Sequence, residues 1–321
     1  MKKNFIATFF LIIISIILAL ILCEAGLRVK HSLIINYDIE MWKYAKVLKT
    51  SVKNKKINHV HIPNKFGNFQ NIEIKTNSFG QRDIEYDNNF LKKHDRSFLI
   101  IGSSIPLGWG VKQDKTFTSR LNEISKKNKK KWLFINGGVG NYNTERYVNN
   151  YLENWSDLEF TDIIINYFIN DAEFINIKKT NFFVKHTHTG VVVWKLINSF
   201  KSSLKKGNLV NYYNKIYDKD QEGLIIAKKE LLNFSKFCKK NKINCFLVNM
   251  PDIHQLDPYK LGFSNEIIKE NSSKIDLKYF DLLPFFNNLD KDLIWNKYND
   301  PHPNEYAHNI IANAIFDFLD K

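Results

Sequence analysis

Four polar residues of this sequence have the side chains that acyl transfer requires. Ser104 is a hydroxyl nucleophile directly after an apolar run, with Ser103 before it. His302 has an imidazole that can take a hydroxyl proton, and Asp300, two residues before it, is a carboxylate. Asn170 can donate its amide to an oxyanion. Taken alone, the two serines are more typical of a turn that only caps the next segment.

Alternating strands and helices are predicted from residue 97 onward, and they must bring these side chains together. Strands are predicted at residues 97–101, 132–135, 162–167, 244–250 and, more weakly, 279–282; the helices between and after them are predicted at residues 114–127, 144–153, 221–240 and from about 305 to 319. This alternation is typical of parallel βαβ units. Because the carboxyl ends of parallel strands lie at one edge of a sheet, Ser104, Asn170 and His302 are expected to converge there.

Four short blocks of the sequence, in order, resemble the motifs of the SGNH (GDSL-type) hydrolase family. The block G-D-S-x-x-x-G matches residues 102–108, with Ser103 where the family usually has Asp. An Asn followed by a glycine-containing turn matches residues 136–141, NGGVGN. The block G-x-N-D matches residues 168–171, with Phe168 in place of Gly, and the last block matches Asp300 and His302. The resemblance covers about residues 70–320 and is closest to membrane-anchored bacterial members.

This resemblance implies a flavodoxin-like three-layer α/β/α sandwich with a parallel sheet, and it implies roles for single residues. Ser104 would be the nucleophile, His302 the general base and Asp300 the residue that orients the base. Asn170 and the backbone N–H of Ser104 would form the oxyanion hole. A further backbone N–H would come from Asn141 by spacing, or from Gly140 one residue earlier. No metal or organic cofactor is implied.

The N-terminus is set apart from the rest of the chain by its composition. Residues 5–23 carry no charge, proline or glycine, and 19 residues of helix rise about 28 Å, the thickness of a hydrocarbon core. A cleaved signal peptide is the alternative, but its apolar region is normally shorter and ends in small residues. We therefore predict a single-pass signal anchor, with the lysines at positions 2 and 3 in the cytoplasm and the remainder outside it.

Composition and cysteine content limit the partners and the compartment. The net charge of +14 comes from lysines spread along the chain, which favours solubility or attraction to an anionic surface or polymer over nucleic-acid binding. Cys238 and Cys245 are predicted on a helix and the next strand; a bridge is possible in an oxidising compartment, but free thiols are favoured. The predicted organisation is an anchor at 1–25, a stem and small β-rich segment at 26–95, and a hydrolase domain at 96–321 with an insertion at about 172–220 covering the site.

Three functions follow from these observations. The first is a membrane-anchored extracytoplasmic serine esterase acting on an ester-bearing small molecule or glycan, with O-acetylated envelope glycans as one class of substrate. The second is an O-acyltransferase that uses the same three residues and passes the acyl group to a carbohydrate hydroxyl. The third is a non-catalytic glycan-binding protein on a degenerate scaffold, suggested by the substitutions at positions 103, 141 and 168. The oligomeric state is not predicted.

Overall fold

The computed structural model describes residues 2–175, 181–204, 209–254, 256–297 and 300–321. These residues form two compact units. The first contains the described residues of 1–44 and 176–207, and the second contains those of 45–175 and 208–321. The predicted stem is thus divided near residue 44, and residues 45–95 group with the sheet rather than with the anchor.

The second unit is built around a five-stranded parallel sheet. Its strands are β1 (Arg96–Gly102), β2 (Trp132–Gly138), β3 (Asp162–Phe168), β4 (Asn244–Met250) and β5 (Lys278–Asp281), in the order β2-β1-β3-β4-β5. Each neighbouring pair is parallel. This is the flavodoxin-like strand order, in which the direction of winding reverses at β1.

Alternate residues of the strands pack on opposite faces of this sheet. On β1, Leu99 and Ile101 belong to one buried cluster, while Phe98 and Ile100 belong to the other. Helices Thr144–Asn154, Glu222–Asn241 and Gly262–Lys274 cover the first face; helices Phe117–Lys127 and Glu305–Leu319 cover the second. Since both faces are buried, the strands are apolar runs without alternation. The predicted three-layer α/β/α sandwich is confirmed.

Further elements complete the described parts of the two units. The remaining α-helices are Lys2–Leu33, Tyr37–Leu48, Asn88–Leu91, Ser104–Leu107, Phe182–His186, His188–Leu204, Leu209–Ile216 and Lys291–Ile294, and short 3-10 turns occur at Gln113–Lys115, Ile169–Ala172 and Leu283–Phe285. Three antiparallel hairpins pair Lys49–Ser51 with His59–His61, Phe66–Phe69 with Ile72–Lys75, and Trp295–Lys297 with Asp300–Pro303.

The first unit pairs the N-terminal helix with part of the predicted insertion. One helix is long and apolar enough to cross a membrane, over Ile6–Leu33, among the residues that were described. The Glu24 carboxylate accepts hydrogen bonds from the backbone N–H of His188 and of Thr189, 3.1 and 2.8 Å away, at the start of helix His188–Leu204. Residues 181–204 therefore group with the apolar helix. Of the predicted insertion at about 172–220, residues 172–175 and those from residue 209 onward belong to the sheet unit, and residues 176–180 and 205–208 lie outside the described part.

A disulfide joins the end of helix Glu222–Asn241 to β4. Cys238 and Cys245 are bonded, with their Cα atoms 6.3 Å apart, inside the range that a disulfide spans. The sequence favoured free thiols, and that prediction is wrong. The short connection between helix and strand returns the chain on itself within seven residues, and this brings the two side chains together.

Candidate active site

Ser104 lies at the carboxyl end of β1, where the strand order of the sheet reverses. β1 ends at Gly102, and Ser104 is the first residue of helix Ser104–Leu107. Gly102 has a φ of 156°, and a Cβ at this position would lie 2.8 Å from the carbonyl oxygen of Asn166 on β3. A side chain at residue 102 would therefore displace β3, so the turn that presents Ser104 requires glycine.

The far end of the same short helix is held by Arg82, which is 1% exposed. Its guanidinium donates to the carbonyl oxygens of Leu107, Gly108 and Val111 at 2.8–2.9 Å. Carbonyls at the end of a helix have no partner within it, and buried ones need another donor. Arg82 thus fixes the loop that follows Ser104.

His302 and Asp300 lie in the hairpin strand Asp300–Pro303, and this strand brings His302 into contact with Ser104. His302 Nε2 lies 2.8 Å from Ser104 Oγ, and His302 Nδ1 lies 2.6 Å from Asp300 Oδ1. Because the carboxylate accepts the Nδ1 hydrogen, the neutral ring has its lone pair on Nε2, where it accepts the Ser104 hydroxyl hydrogen. The three side chains form one hydrogen-bonded chain that ends on a hydroxyl.

Two amides that the motifs did not identify hold the second oxygen of Asp300. Gln70 Nε2 donates to Asp300 Oδ2 at 2.6 Å, and Asn296 Nδ2 donates to it at 3.2 Å. Gly110 lets Asn296 approach, since a Cβ there would lie 1.9 Å from the Asn296 Nδ2 atom. Burial alone would raise the pKa of Asp300, but the hydrogen bonds from His302, Gln70 and Asn296 together hold that pKa below its usual value. Asp300 is thereby kept ionised beside His302.

Replacing Gln70 with leucine removes one of these donors with little change in side-chain size. We expect the rate at which Ser104 reacts with a fluorophosphonate to fall about tenfold, because a hydrogen bond to a charged group contributes about 1.5–3 kcal/mol. The pKa of Asp300 should rise, so this reactivity should be lost at a higher pH on the acid side. Both effects are measured in one pH profile of the labelling rate; a profile that matches the wild type would show that Gln70 does not support Asp300.

A cavity of about 210 Å³ lies beside Ser104. Its lining combines the predicted site residues with an apolar wall: Ser103, Ser104, Ile105, Pro106, Asn166, Phe168, Asn170, Leu209, Tyr213, Met250, Pro251, Asp252, Ile253, His254, His302 and Pro303. The Asn170 side chain makes no hydrogen bond to any residue that the structure describes, and its Oδ1 atom is buried. The amide of Asn170 is therefore available to a ligand in this cavity. Among the described residues, no group of three or more His, Cys, Asp or Glu side chains is placed to hold a metal ion.

The two further oxyanion candidates, Gly140 and Asn141, lie on the loop after β2 and do not belong to the residues that line this cavity. The Gly140 carbonyl accepts hydrogen bonds from Lys49 Nζ and His59 Nε2, at 2.6 and 3.2 Å. In a trans peptide the next N–H points the opposite way, so these contacts fix the direction of the Asn141 N–H. Asn141 has a φ of 65°, a left-handed conformation that Asn tolerates.

A second Asp-x-His pair lines the same cavity, and it is not among the site residues predicted from the sequence. Asp252 and His254 follow β4, and His254 Nδ1 lies 2.6 Å from Asp252 Oδ1. The hydrogen bond to Asp252 raises the pKa of His254 above its usual value. The signal was present in the sequence, because residues 252–254 (DIH) repeat the spacing of residues 300–302 (DPH) after another predicted strand.

Comparison with known proteins gives structural neighbours only. No protein-family model matches the chain, and no curated protein matches it. The chain is similar to a two-domain esterase (CEX) active on acetylated mannans, with 16% identity and a TM-score of 0.46 over 70% of this chain and 49% of that one. It thus spans about half the length of that esterase.

Two other solved structures show the same level of similarity. One is a catalytic mutant of Axe2, an acetylxylan esterase from Geobacillus stearothermophilus, with 14% identity and a TM-score of 0.45 over 70% of this chain and 94% of that one. The other is a protein of the G-D-S-L family from Desulfitobacterium hafniense DCB-2, with 10% identity and a TM-score of 0.45 over 70% of this chain and 99% of that one. The G-D-S-L family is the one that the four sequence blocks resemble.

Proposed function

We propose that this protein is a serine esterase that removes a short acyl group, such as acetyl, from a hydroxyl-bearing substrate. One observation carries the proposal: Ser104, His302 and Asp300 form a continuous chain of hydrogen bonds, 2.8 and 2.6 Å long, beside a cavity. A binding protein has no need of this arrangement, since a hydroxyl, an imidazole and a buried carboxylate in series are what nucleophilic catalysis requires.

The first half of the reaction forms an acyl-serine. The Ser104 oxygen attacks the ester carbonyl while its proton passes to His302 Nε2, and Asp300 stabilises the imidazolium that results. His302 then gives this proton to the alcohol oxygen of the substrate, the ester C–O bond breaks, and the alcohol leaves. Water repeats the sequence in the second half: it loses a proton to His302, attacks the acyl carbon, and Ser104 regains its hydrogen as the acid departs.

The negative charge on the carbonyl oxygen needs hydrogen-bond donors in both halves. We assign this role to the Asn170 amide, which lines the cavity, and to the N–H of Ser104, which lies at the start of a helix. The Asn141 N–H, or that of Gly140, is the third candidate. Its peptide is already oriented by Lys49 and His59, although it does not line the cavity.

The cavity limits the acyl group. Its volume of about 210 Å³ lies below the 300–1,000 Å³ typical of pockets for drug-sized ligands, which favours a short acyl group such as acetyl over a long chain. The apolar helix over Ile6–Leu33 supports membrane anchoring, and the bond between Cys238 and Cys245 supports an oxidising compartment. An anchored enzyme facing the envelope would meet O-acetylated glycans.

The proposal is tested with the full chain in detergent and p-nitrophenyl esters of increasing acyl length. We expect turnover of the acetate, and a fall in kcat/KM of about tenfold or more from acetate to octanoate, because the longer acyl group does not fit. Ser104→Ala is the control for background hydrolysis. A kcat/KM that rises with chain length would contradict the short-acyl proposal. With an acetylated glycan and a sugar acceptor, release of acetic acid indicates an esterase, whereas transfer of acetyl to the acceptor indicates an acyltransferase.

A further inference from the structure

The Asp252–His254 pair repeats the local geometry of the Asp300–His302 pair. In each pair the backbone N–H of the histidine and its Nδ1 atom contact the same carboxylate oxygen, at 2.8 and 2.6 Å for His254 and at 3.2 and 2.6 Å for His302. Asp252 and Asp300 are each 2% exposed. In both pairs the carboxylate accepts a hydrogen bond from Nδ1–H. This fixes the tautomer of the neutral ring and leaves Nε2 able to contact another partner.

That other partner distinguishes the two pairs. His302 Nε2 is hydrogen-bonded to Ser104 Oγ, whereas His254 Nε2 has no hydrogen-bond partner among the residues that the structure describes. The His254 side chain is 45% exposed and lines the cavity beside Ser104. A neutral His254 would accept a hydrogen bond at Nε2, and a charged one would donate there. A hydroxyl group satisfies either state.

Trp295 fixes the position of His254 relative to the hairpin of Trp295–Lys297 and Asp300–Pro303, which carries His302. The indole N–H donates to the carbonyl of Ile253 at 2.8 Å, and the indole ring contacts the His254 ring edge-to-face with centroids 5.6 Å apart. Trp295 itself pairs with Pro303, one residue after His302. The same hairpin therefore positions both histidines. A residue that binds the substrate next to the reacting ester must be held at a fixed distance from the catalytic residues, and the hairpin provides this.

We propose that His254, positioned by Asp252, binds a hydroxyl group on the alcohol portion of the substrate. The substrate class is then a polyhydroxylated ester, such as a partly acetylated carbohydrate, in which a free hydroxyl lies near the acetylated one. This inference rests on the proposed function for the identity of the reacting ester. This hydroxyl forms a hydrogen bond with His254 Nε2, as the Ser104 hydroxyl does with His302 Nε2.

Equilibrium binding in the Ser104→Ala background tests this without any turnover. The probe is a mono-O-acetylated methyl glycoside with its other hydroxyls free, titrated by calorimetry. His254→Leu should weaken its Kd about tenfold, the effect of losing one hydrogen bond, whereas His254→Gln, which keeps a donor near the Nε2 position, should recover most of the affinity. An equal Kd with His254 and with Leu would overturn the proposal.

Turnover provides the second measurement. In the His254→Leu enzyme the ratio of kcat/KM for the acetylated glycoside to kcat/KM for p-nitrophenyl acetate, whose alcohol portion has no hydroxyl neighbour, should fall about tenfold. A proportional loss of kcat/KM on both substrates would show that His254 affects only folding or the positions of Ser104, His302 and Asp300, and would overturn the proposal. If the wild type turns over neither ester but binds the glycoside through His254, the proposed esterase function fails and the hydroxyl site stands.

Discussion

Replacing Ser104 with alanine is expected to lower kcat/KM for acetate esters by about 10⁴- to 10⁶-fold. Without the hydroxyl no acyl-enzyme forms, and only binding and the oxyanion donors remain to accelerate direct attack by water. The Oγ atom is small and the neighbouring backbone is set by Gly102 and Arg82, so the fold should be unaffected. Initial rates with p-nitrophenyl acetate, alongside a thermal melt of each variant, measure both quantities.

Ser103→Ala is the matched control for this prediction. Ser103 precedes Ser104, lines the same cavity and is 8% exposed, but its hydroxyl is not the one in contact with His302. We expect its kcat/KM to stay within about tenfold of the wild type, since a neutral side-chain contact contributes only about 0.5–1.5 kcal/mol. Equal losses in the two variants would mean that Ser104 is not distinguished from its neighbour and would contradict the proposed nucleophile.

Asp300→Asn is expected to lower kcat by about 10³- to 10⁴-fold while leaving the side-chain shape unchanged. An amide can donate to His302 Nδ1 instead of accepting from it, which places the ring hydrogen on Nε2, where the Ser104 hydroxyl must be accepted. It also withdraws the charge that stabilises the imidazolium. In the wild type the pKa of Asp300 lies below its usual value, so the carboxylate persists through the mildly acidic range. The kcat is measured under saturating ester.

Asp252→Asn gives a comparison within the same cavity. It makes the same chemical change in a pair of the same spacing, 2.6 Å from its histidine, but in a pair that does not contact Ser104. We expect the loss of kcat on p-nitrophenyl acetate to be at least a hundredfold smaller than in Asp300→Asn. Similar losses in the two variants would contradict the assignment of Asp300 as the residue that orients the catalytic base.

The sheet could be predicted from the sequence because its strands are short apolar runs that end at recognisable turns. The strand predicted at residues 244–250 matches β4, and the predicted strand at residues 132–135 is only shorter than β2, which continues to Gly138. The glycines after Asn136 were interpreted as the turn. In the structure they still pair with β1, because Gly137 and Gly138 lie opposite Ile101 and Gly102.

Helices without a clear apolar face were missed. Gly262–Lys274 buries Ile268 but is otherwise rich in Ser, Asn, Lys and Glu, so its period is weak. Helix His188–Leu204 belongs with the apolar N-terminal helix, and its exposed side chains Trp194, Leu196 and Phe200 give no soluble amphipathic pattern. Neither helix bears a motif, so the sequence offered only composition there.

The motif residues of the candidate site could be predicted from the sequence. The residues that contact and position them could not. The contacts among Ser104, His302 and Asp300 are present, and their roles are the proposal that the variants above test. Gln70 contacts Asp300 across 230 positions of sequence, a pairing that no local pattern indicates. His254 is different: its spacing from Asp252 was visible, but without the fold nothing placed that pair beside Ser104.

The most direct measurement is the mass of the full-length protein after incubation with a fluorophosphonate, followed by peptide mapping of the adduct. The reagent phosphonylates a serine only where a base activates it, so we expect one adduct per chain, on Ser104. Labelling should be lost in Ser104→Ala, retained in Ser103→Ala and strongly slowed in Asp300→Asn. A folded wild-type protein that stays unlabelled, or an adduct on any other residue, would contradict the assignment of Ser104 as the nucleophile.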